Sequence, residues 1–494
     1  MKKMRFNLKN VATIVACFAI VVMLFSCKKD DKESGDNKIT SFRFVSLDAV
    51  GVIDQAAKTI YVPVPEGTDF TNLTPEITVS KKATVDPASG VAQDFTYPVT
   101  YTVTAENGTK AAYIVTVVEG DTPPGVVVEL PEVITENTTL KDLGLPVDYI
   151  FKGSSKGNDF ISVINNAEII IEPGVTIQFL EAHGGIVVEK GSKIIAVGTA
   201  TKRIQFIGAT TEKGAWNSID VQSDADNSFK YCDFIGGGHY SVATVLLTQD
   251  NSKLAMEYCT IKNSLTSGYY ISTGMNNLNA VAAFNNNVIT ACGDVPVWVN
   301  YPFNVQKFDI TSDLTGNAKD YIHINGNIHP LDMDLVFNQT TVPYYLHYGL
   351  RINKTFTINE GTTIYMNNKI EPYDGSRLFV NGTENNPVTF TLYPGEDENS
   401  YWGGISVYRS SGSILKWCTI EKVGTYWGAI DLSTSASIPT DVTLENVTIK
   451  NNKGYGVRYL SDCSVHHTGV NERFSNNLPA NVLKPGDIQS EFLP

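Results

Sequence analysis

One stretch of this chain is written twice. The first copy reads IIIEPGVTIQF from Ile169, then GSKIIAVGTATKRIQFIG, GAWNSIDVQ and FKYCDFIGGG. The second begins at Phe356 and reads FTINEGTTIYM, GSRLFVNGTENNPVTFTL, YWGGISVYR and LKWCTIEKVG. Ile177 falls on Ile364, Gly191 on Gly375, Trp216 on Trp402 and Cys232 on Cys418, with the offset staying near 186 residues. An alignment held over so many positions is an internal duplication, and it restricts the fold to architectures that tolerate stacking of like units.

Within each copy a shorter period appears. Runs such as TIQF, GIVVE, KIIAV, RIQFI, SIDVQ and KYCDFI are rich in β-branched and aromatic residues and separated by Gly, Asn, Asp or Lys, which marks strands. None carries a 3.6-residue apolar period long enough for a helix. The gaps are too short for helical crossovers between parallel strands. A coil of short strands joined by tight turns, each coil burying the next, satisfies both facts, so the prediction is an all-β chain built on a parallel β-helix. The phrases KYCDFIG, MEYCTIKNS and LKWCTIEKV place Cys232, Cys259 and Cys418 at one repeat position, as small inward residues. Asn263 and Asn451 follow at turns where asparagine tolerates left-handed backbone.

The phrases PGVTIQF, GGIVVEKGSKIIAVGTATKRIQF, YWGGISV and LKWCTIEKVG resemble right-handed parallel β-helix lipoproteins of Bacteroidetes-type bacteria. The resemblance runs from about Val133 to the C-terminus and implies the fold and its handedness. It implies little about activity, because β-helices host lyases, hydrolases, adhesins and passive scaffolds.

Ahead of the coils the chain divides by composition. Residues 1–26 carry a basic start and the apolar run Val11 to Phe25, a secretory signal. It closes on Leu24-Phe25-Ser26-Cys27, which resembles a bacterial lipobox and implies cleavage before Cys27 and lipidation of its sulfur. The alternative is an uncleaved anchor, which the shortness of the run disfavours. Residues 27–38 form a polar tether. Its Lys28-Lys29-Asp30-Asp31-Lys32-Glu33 segment resembles the export tags of Bacteroidetes lipoproteins on the outer face of the outer membrane. Residues 39–119 read as a small Ig-like β-sandwich with a hairpin at Glu106-Asn107-Gly108-Thr109, acting as a spacer. Residues 120–130 form a linker and 131–494 the β-helix, with a cap before about Ile161 and loss of pattern after about Asp462.

The net charge of −14 becomes near −18 once the basic leader is removed, which excludes a phosphate-neutralising nucleic-acid surface and fits an exported surface protein. Of the seven cysteines, five lie in the coils, an odd number that reads as buried free thiols rather than a disulfide framework.

For chemistry, the expected partner is an extracellular polysaccharide or another surface ligand. Exposed aromatic rings suit sugar faces because they join apolar area to a polar handle. Trp216 and Trp402 recur at one repeat position and are expected to pack the coils. Trp427 stands where the first copy has Ser241, so it and Tyr426 are the leading candidates, joined by Tyr240 and by Tyr269 and Tyr270 in a turn after Asn263. No catalytic residues are assigned. A lyase or hydrolase would draw on outward acids such as Asp220, Asp233, Glu257, Glu421, Asp431 and Glu445, for which a solvated acidic face is the simpler account. An adhesive or structural role is the third reading. No cofactor is implied. Calcium at the acidic loops Asp224 to Ser228 or Glu396 to Asn399 is a weaker candidate, since neither matches a closed binding loop.

Overall fold

The computed structural model describes residues 33–483 except 66, 121–125, 154–158, 275–276, 326–331, 398, 425–427, 435–437, 469–472 and 478–481. The chain forms two compact units, residues 1–124 and 125–494. Among the described residues there is no α-helix, only the short 3-10 turns Val45–Leu47, Phe70–Asn72 and Pro302–Val305, and no helix long and apolar enough to cross a membrane.

The N-terminal unit holds a three-stranded and a five-stranded sheet. Alternation builds the core. Along Lys110–Glu119 every second residue from Tyr113 to Val117 is buried while Ile114 faces out. Lys110–Glu119 pairs antiparallel with Val99–Thr104 and parallel with Thr59–Val64. The predicted hairpin is present, closed by the Ala105 N–H donating to the Thr109 carbonyl at 2.8 Å. Phe42, Phe44, Phe95 and Tyr101 join both sheets in one core, with ring centroids 5.3 to 6.5 Å apart.

In the C-terminal unit most described strands pair in parallel with the third strand after them, the junction pairings of Val297–Val299 with Ile322–Ile324 and of Ile322–Ile324 with Tyr344–Leu346 excepted. Glu168–Ile171 lies against Lys193–Val197, Thr176–Phe179 against Ile204–Gly208, and Gly185–Val188 against Ile219–Val221. Three strands therefore make one coil, and stacked coils form a β-solenoid. The regular inward stripe explains the stacking: Ile177, Phe206 and Phe234 occupy successive rungs, with Phe206 and Phe234 face to face at 5.0 Å. Strand pairing reaches into both terminal regions of the solenoid. Val128–Glu129 already pairs with Tyr149–Phe151, where a separate cap was predicted. Cys463–His467, Arg473–Ser475 and Val482–Leu483 continue the sheets, where loss of pattern was predicted. The strands at both ends are only two to five residues long, too short to show a pattern in the sequence.

Tight corners need left-handed backbone, and Asn263 (φ 58°) and Asn451 (φ 59°) supply it. Other asparagines turn inward and satisfy corner backbone. Asn287 accepts from the Cys259 N–H at 3.0 Å and donates to the Met256 carbonyl at 2.9 Å.

The duplication is not continuous in phase. Thr176–Phe179 belongs to a seven-stranded sheet that ends at Val288–Thr290, but its counterpart Thr363–Met366 belongs to the fourteen-stranded sheet. Gly185–Val188 lies in the fourteen-stranded sheet, and its counterpart Ile370–Pro372 lies in a six-stranded sheet that starts at Leu350–Ile352. Two sides of the coil end between the copies, at Val281–Asn285 and Val288–Thr290, and two open, at Leu335–Phe337 and Leu350–Ile352. The second copy is therefore set one third of a coil out of phase with the first. Only the fourteen-stranded sheet runs unbroken through both.

Candidate functional site

Where the two copies meet, the outer face of the fourteen-stranded sheet becomes aromatic. Strands Ser267–Ile271, Val297–Val299, Ile322–Ile324, Tyr344–Leu346 and Thr363–Met366 are adjacent and in register. Their inward residues, among them Val297, Val299, Ile322, Ile324, Tyr344, Leu346, Ile364 and Met366, are buried in the core. Two-residue alternation then sends Tyr270, Trp298, His323, Tyr345 and Tyr365 outward as one row. Leu246 and Asp220 precede the row in register, and Thr391 follows it. Parallel strands in register repeat at about 4.8 Å, so these five rings form a ladder along the solenoid.

Ring geometry makes the row a continuous surface. Centroids are 6.4 Å apart for Tyr270 and Trp298, 4.0 Å for Trp298 and His323, and 5.5 Å for His323 and Tyr345. Tyr393 joins Tyr345 to Tyr365 at 5.8 and 5.7 Å, and Tyr321 packs on Tyr345 at 5.1 Å. Tyr321, His323 and Tyr345 are buried, whereas Tyr270, Trp298, Tyr365 and Tyr393 stay half-open. The cluster is thus a closed centre with two open shoulders.

Its electrostatics are those of neutral rings, buried at the centre, with acids beside them. Burial, assisted by His347, pulls the His323 imidazole down to about 4, so it is neutral at pH 7. Its Nε2 has no hydrogen-bond partner among the described residues. Burial likewise raises the Tyr321, Tyr345 and Tyr365 hydroxyls. Glu396 acts on Tyr321 and Tyr345 through its charge. Nearby cations have acidic partners: Lys319 binds Asp294 at 2.9 Å and Lys450 binds Glu421 at 3.5 Å.

The residues singled out from sequence fall in several places. Tyr270 is on the row. Tyr269, its neighbour, is not in a turn but in a strand, and alternation buries its ring in the core against Phe284 at 6.0 Å, which removes it as a surface contact. Tyr240 stands 79% exposed at φ 51°, stacked on His183 at 4.8 Å and edge-on to His239 at 4.3 Å. That group is separate from the row. Tyr426, Trp427 and Cys27 lie outside the described residues. Trp216 and Trp402 are buried as expected, and each indole N–H donates at 2.7 Å to a carbonyl, of Ile235 and Glu421 respectively.

The candidate acids do not converge. Asp220 and Glu421 lie on the fourteen-stranded sheet, and the others on four different sheets. Most are engaged: Asp233 by Arg203 at 2.7 Å, Asp431 by Arg458 at 2.5 Å, Glu445 by Lys416 at 3.0 Å, and Asp220 by the Thr248 hydroxyl at 2.8 Å. Asp224 borders a polar recess of about 450 Å³ with Gln222, Gln249 and Asp250, while Asp226 is held by Lys253 at 2.5 Å. Among the described residues no three His, Cys, Asp or Glu side chains are grouped to hold a metal. Five cysteines, Cys232, Cys259, Cys292, Cys418 and Cys463, are free and buried, and burial raises the Cys418 thiol.

Sequence reasoning missed Trp298, His323, Tyr345, Tyr365, Tyr321 and Tyr393. For Tyr321, His323 and Tyr345 the signal was the aromatic richness between Asn300 and Tyr348, which acquires meaning only once register is known; Trp298, Tyr365 and Tyr393 lie outside that stretch.

Comparison with known proteins bears mainly on the N-terminal unit. Residues 39–117 match the family described as SGBP, N-terminal. A presumed glycoside hydrolase of Bacteroides thetaiotaomicron shares 33% identity over 19% of this chain and 28% of its own length, with a TM-score of 0.18. A presumed secreted protein of Bacteroides fragilis shares 21% identity over 18% of this chain and 98% of its own, with a TM-score of 0.15. The chain thus spans under a third of the length of the first, and scores this low carry no argument about fold. No curated protein matches the chain.

Proposed function

We propose that this chain is a cell-surface glycan-binding protein whose binding face is the aromatic row on the fourteen-stranded sheet. The observation that carries the reading is the row itself: Tyr270, Trp298, His323, Tyr345 and Tyr365 on five successive rungs, with half-open rings at both ends. Sugar C–H faces stack on such rings, which join a large apolar area to a polar handle. The match of residues 39–117 to SGBP, N-terminal supports the surface and glycan parts of the reading.

In this account the Ig-like N-terminal unit is a spacer, the solenoid is a right-handed β-helix, and lipid on Cys27 holds the chain at the outer face of the outer membrane. Retention of Cys27→Ala protein in the membrane fraction would remove the anchor from the account. Tyr426 and Trp427 are proposed as additional contacts on the second copy.

The test is isothermal titration of a polysaccharide panel against the full chain, with analysis of the products. Binding without new chain ends, weakened at least tenfold in Trp298→Ala, is the expected result. New reducing or unsaturated ends would move the protein to the hydrolases or lyases. No binding across the panel would leave an adhesive or scaffold role.

A further inference from the structure

We infer that the row takes an uncharged glycan chain of about four sugar units, lying along the solenoid axis and bridging the two open shoulders. This rests on the glycan-binding reading above and adds ligand charge, length and direction.

Direction follows from register. Tyr270, Trp298, His323, Tyr345 and Tyr365 are stacked by strand pairing, so the row crosses the strands at right angles and follows the axis. Length follows from the open rings. Tyr270 and Trp298 form one shoulder, Tyr365 and Tyr393 the other, and between them Tyr321, His323 and Tyr345 are buried. From Tyr270 to Tyr365 is four strand steps, roughly 19 Å at the spacing of paired strands. One pyranose in an extended chain is about as long as one step. A disaccharide can occupy one shoulder, while a chain of about four units reaches both and gains the second contact without a second loss of translational freedom.

Charge follows from what rims the row. Asp220 lies in register beyond Leu246 at one end, and Glu421 accepts from the Thr391 hydroxyl at 3.0 Å at the other. Asp294 and Glu396 stand beside the centre. The cations there, Lys319 and Lys450, are already paired with Asp294 and Glu421. The His323 imidazole is neutral at working pH, so the floor offers no positive charge. A uronate or sulfated chain would place its anions against this acidic rim, where Lys319 and Lys450 are already engaged, whereas a neutral chain loses nothing.

The experiment is titration of the full chain, and of its Trp298→Ala and Tyr365→Ala variants, with two ligand series. One is neutral gluco- and xylo-oligosaccharides of two, four and six units. The other is oligogalacturonides of the same lengths, at low and high salt. The expected result is neutral binding that strengthens at least tenfold from two units to four, levels off at six and is insensitive to salt. Either variant should reduce the four-unit ligand toward the two-unit value. Oligogalacturonides binding as tightly, with the same dependence on Trp298, would overturn the charge assignment and leave the glycan-binding row standing. A disaccharide binding as well as a hexasaccharide would overturn the bridging assignment. No binding of either series would overturn both the inference and the reading beneath it.

Discussion

The two copies of the duplicated stretch are alike in packing and unlike in placement. Cys232 stacks below Ile204 in the seven-stranded sheet, while Cys418 stacks on Val388 in the fourteen-stranded one. Trp216 and Trp402 nevertheless make the same bond, indole N–H to a carbonyl 19 residues on, at 2.7 Å in both. Local sequence sets what a coil buries. The segment between the copies sets which way the coil faces. On the one sheet common to both, outward residues of the first copy include Val187 and Asp220, and of the second Thr391 and Glu421. Between them stand Leu246 and then the aromatic row. The candidate binding face is thus largely a product of the junction, with Tyr365 and Tyr393 lent by the second copy.

The packing half of this comparison is tested most severely by the tryptophans. Trp216→Ala and Trp402→Ala should each cost about 3 to 5 kcal/mol, and about equally, because each removes a buried ring and orphans a carbonyl. Urea unfolding of the two variants measures this, and a cost present in only one copy would break the equivalence.

Next in size is the contrast within a single strand. Tyr269→Ala should cost about 3 kcal/mol or more in stability, and Tyr270→Ala well under 1 kcal/mol while weakening glycan binding. Tyr269→Phe should be neutral or stabilising, because the buried hydroxyl has no partner among the described residues.

A smaller effect concerns His323, packed among Trp298, Tyr345 and His347 with Asp294 and Lys319 acting on it through charge. Its folded value is lowered to about 4, so the neutral form is favoured on folding. The stability it contributes is complete above its unfolded value near 6.5 and is lost as pH falls toward about 4. His323→Phe should flatten thermal stability across that window. An unchanged slope would take His323 out of the buried centre. Smallest of all, Tyr240→Asn should shift stability by only about 0.5 kcal/mol, since asparagine suits φ 51° and replaces an exposed ring.

Strands, coils and the inward tryptophans were legible because each is a local pattern repeated with the same residues. Cys232, Cys259 and Cys418 declared their burial by recurring. The row did not, since Trp298, His323, Tyr345 and Tyr365 lie on separate strands, and each alone looks like any outward strand position. Their convergence depends on the phase shift, and the region producing it is irregular: the Pro302–Val305 turn interrupts the strands and two sheets end, at Val281–Asn285 and Val288–Thr290. Tyr269 was misplaced for a related reason, since adjacent tyrosines on a strand face opposite ways and composition cannot say which is inside.

The central claim is that the junction, and not the exposed Tyr240 corner, binds glycan. Titration of one polysaccharide that binds the full chain, repeated with Trp298→Ala and with Tyr240→Ala, tests it directly. The account predicts at least a tenfold loss for Trp298→Ala and unchanged affinity for Tyr240→Ala. Affinity kept in the first and lost in the second would contradict it.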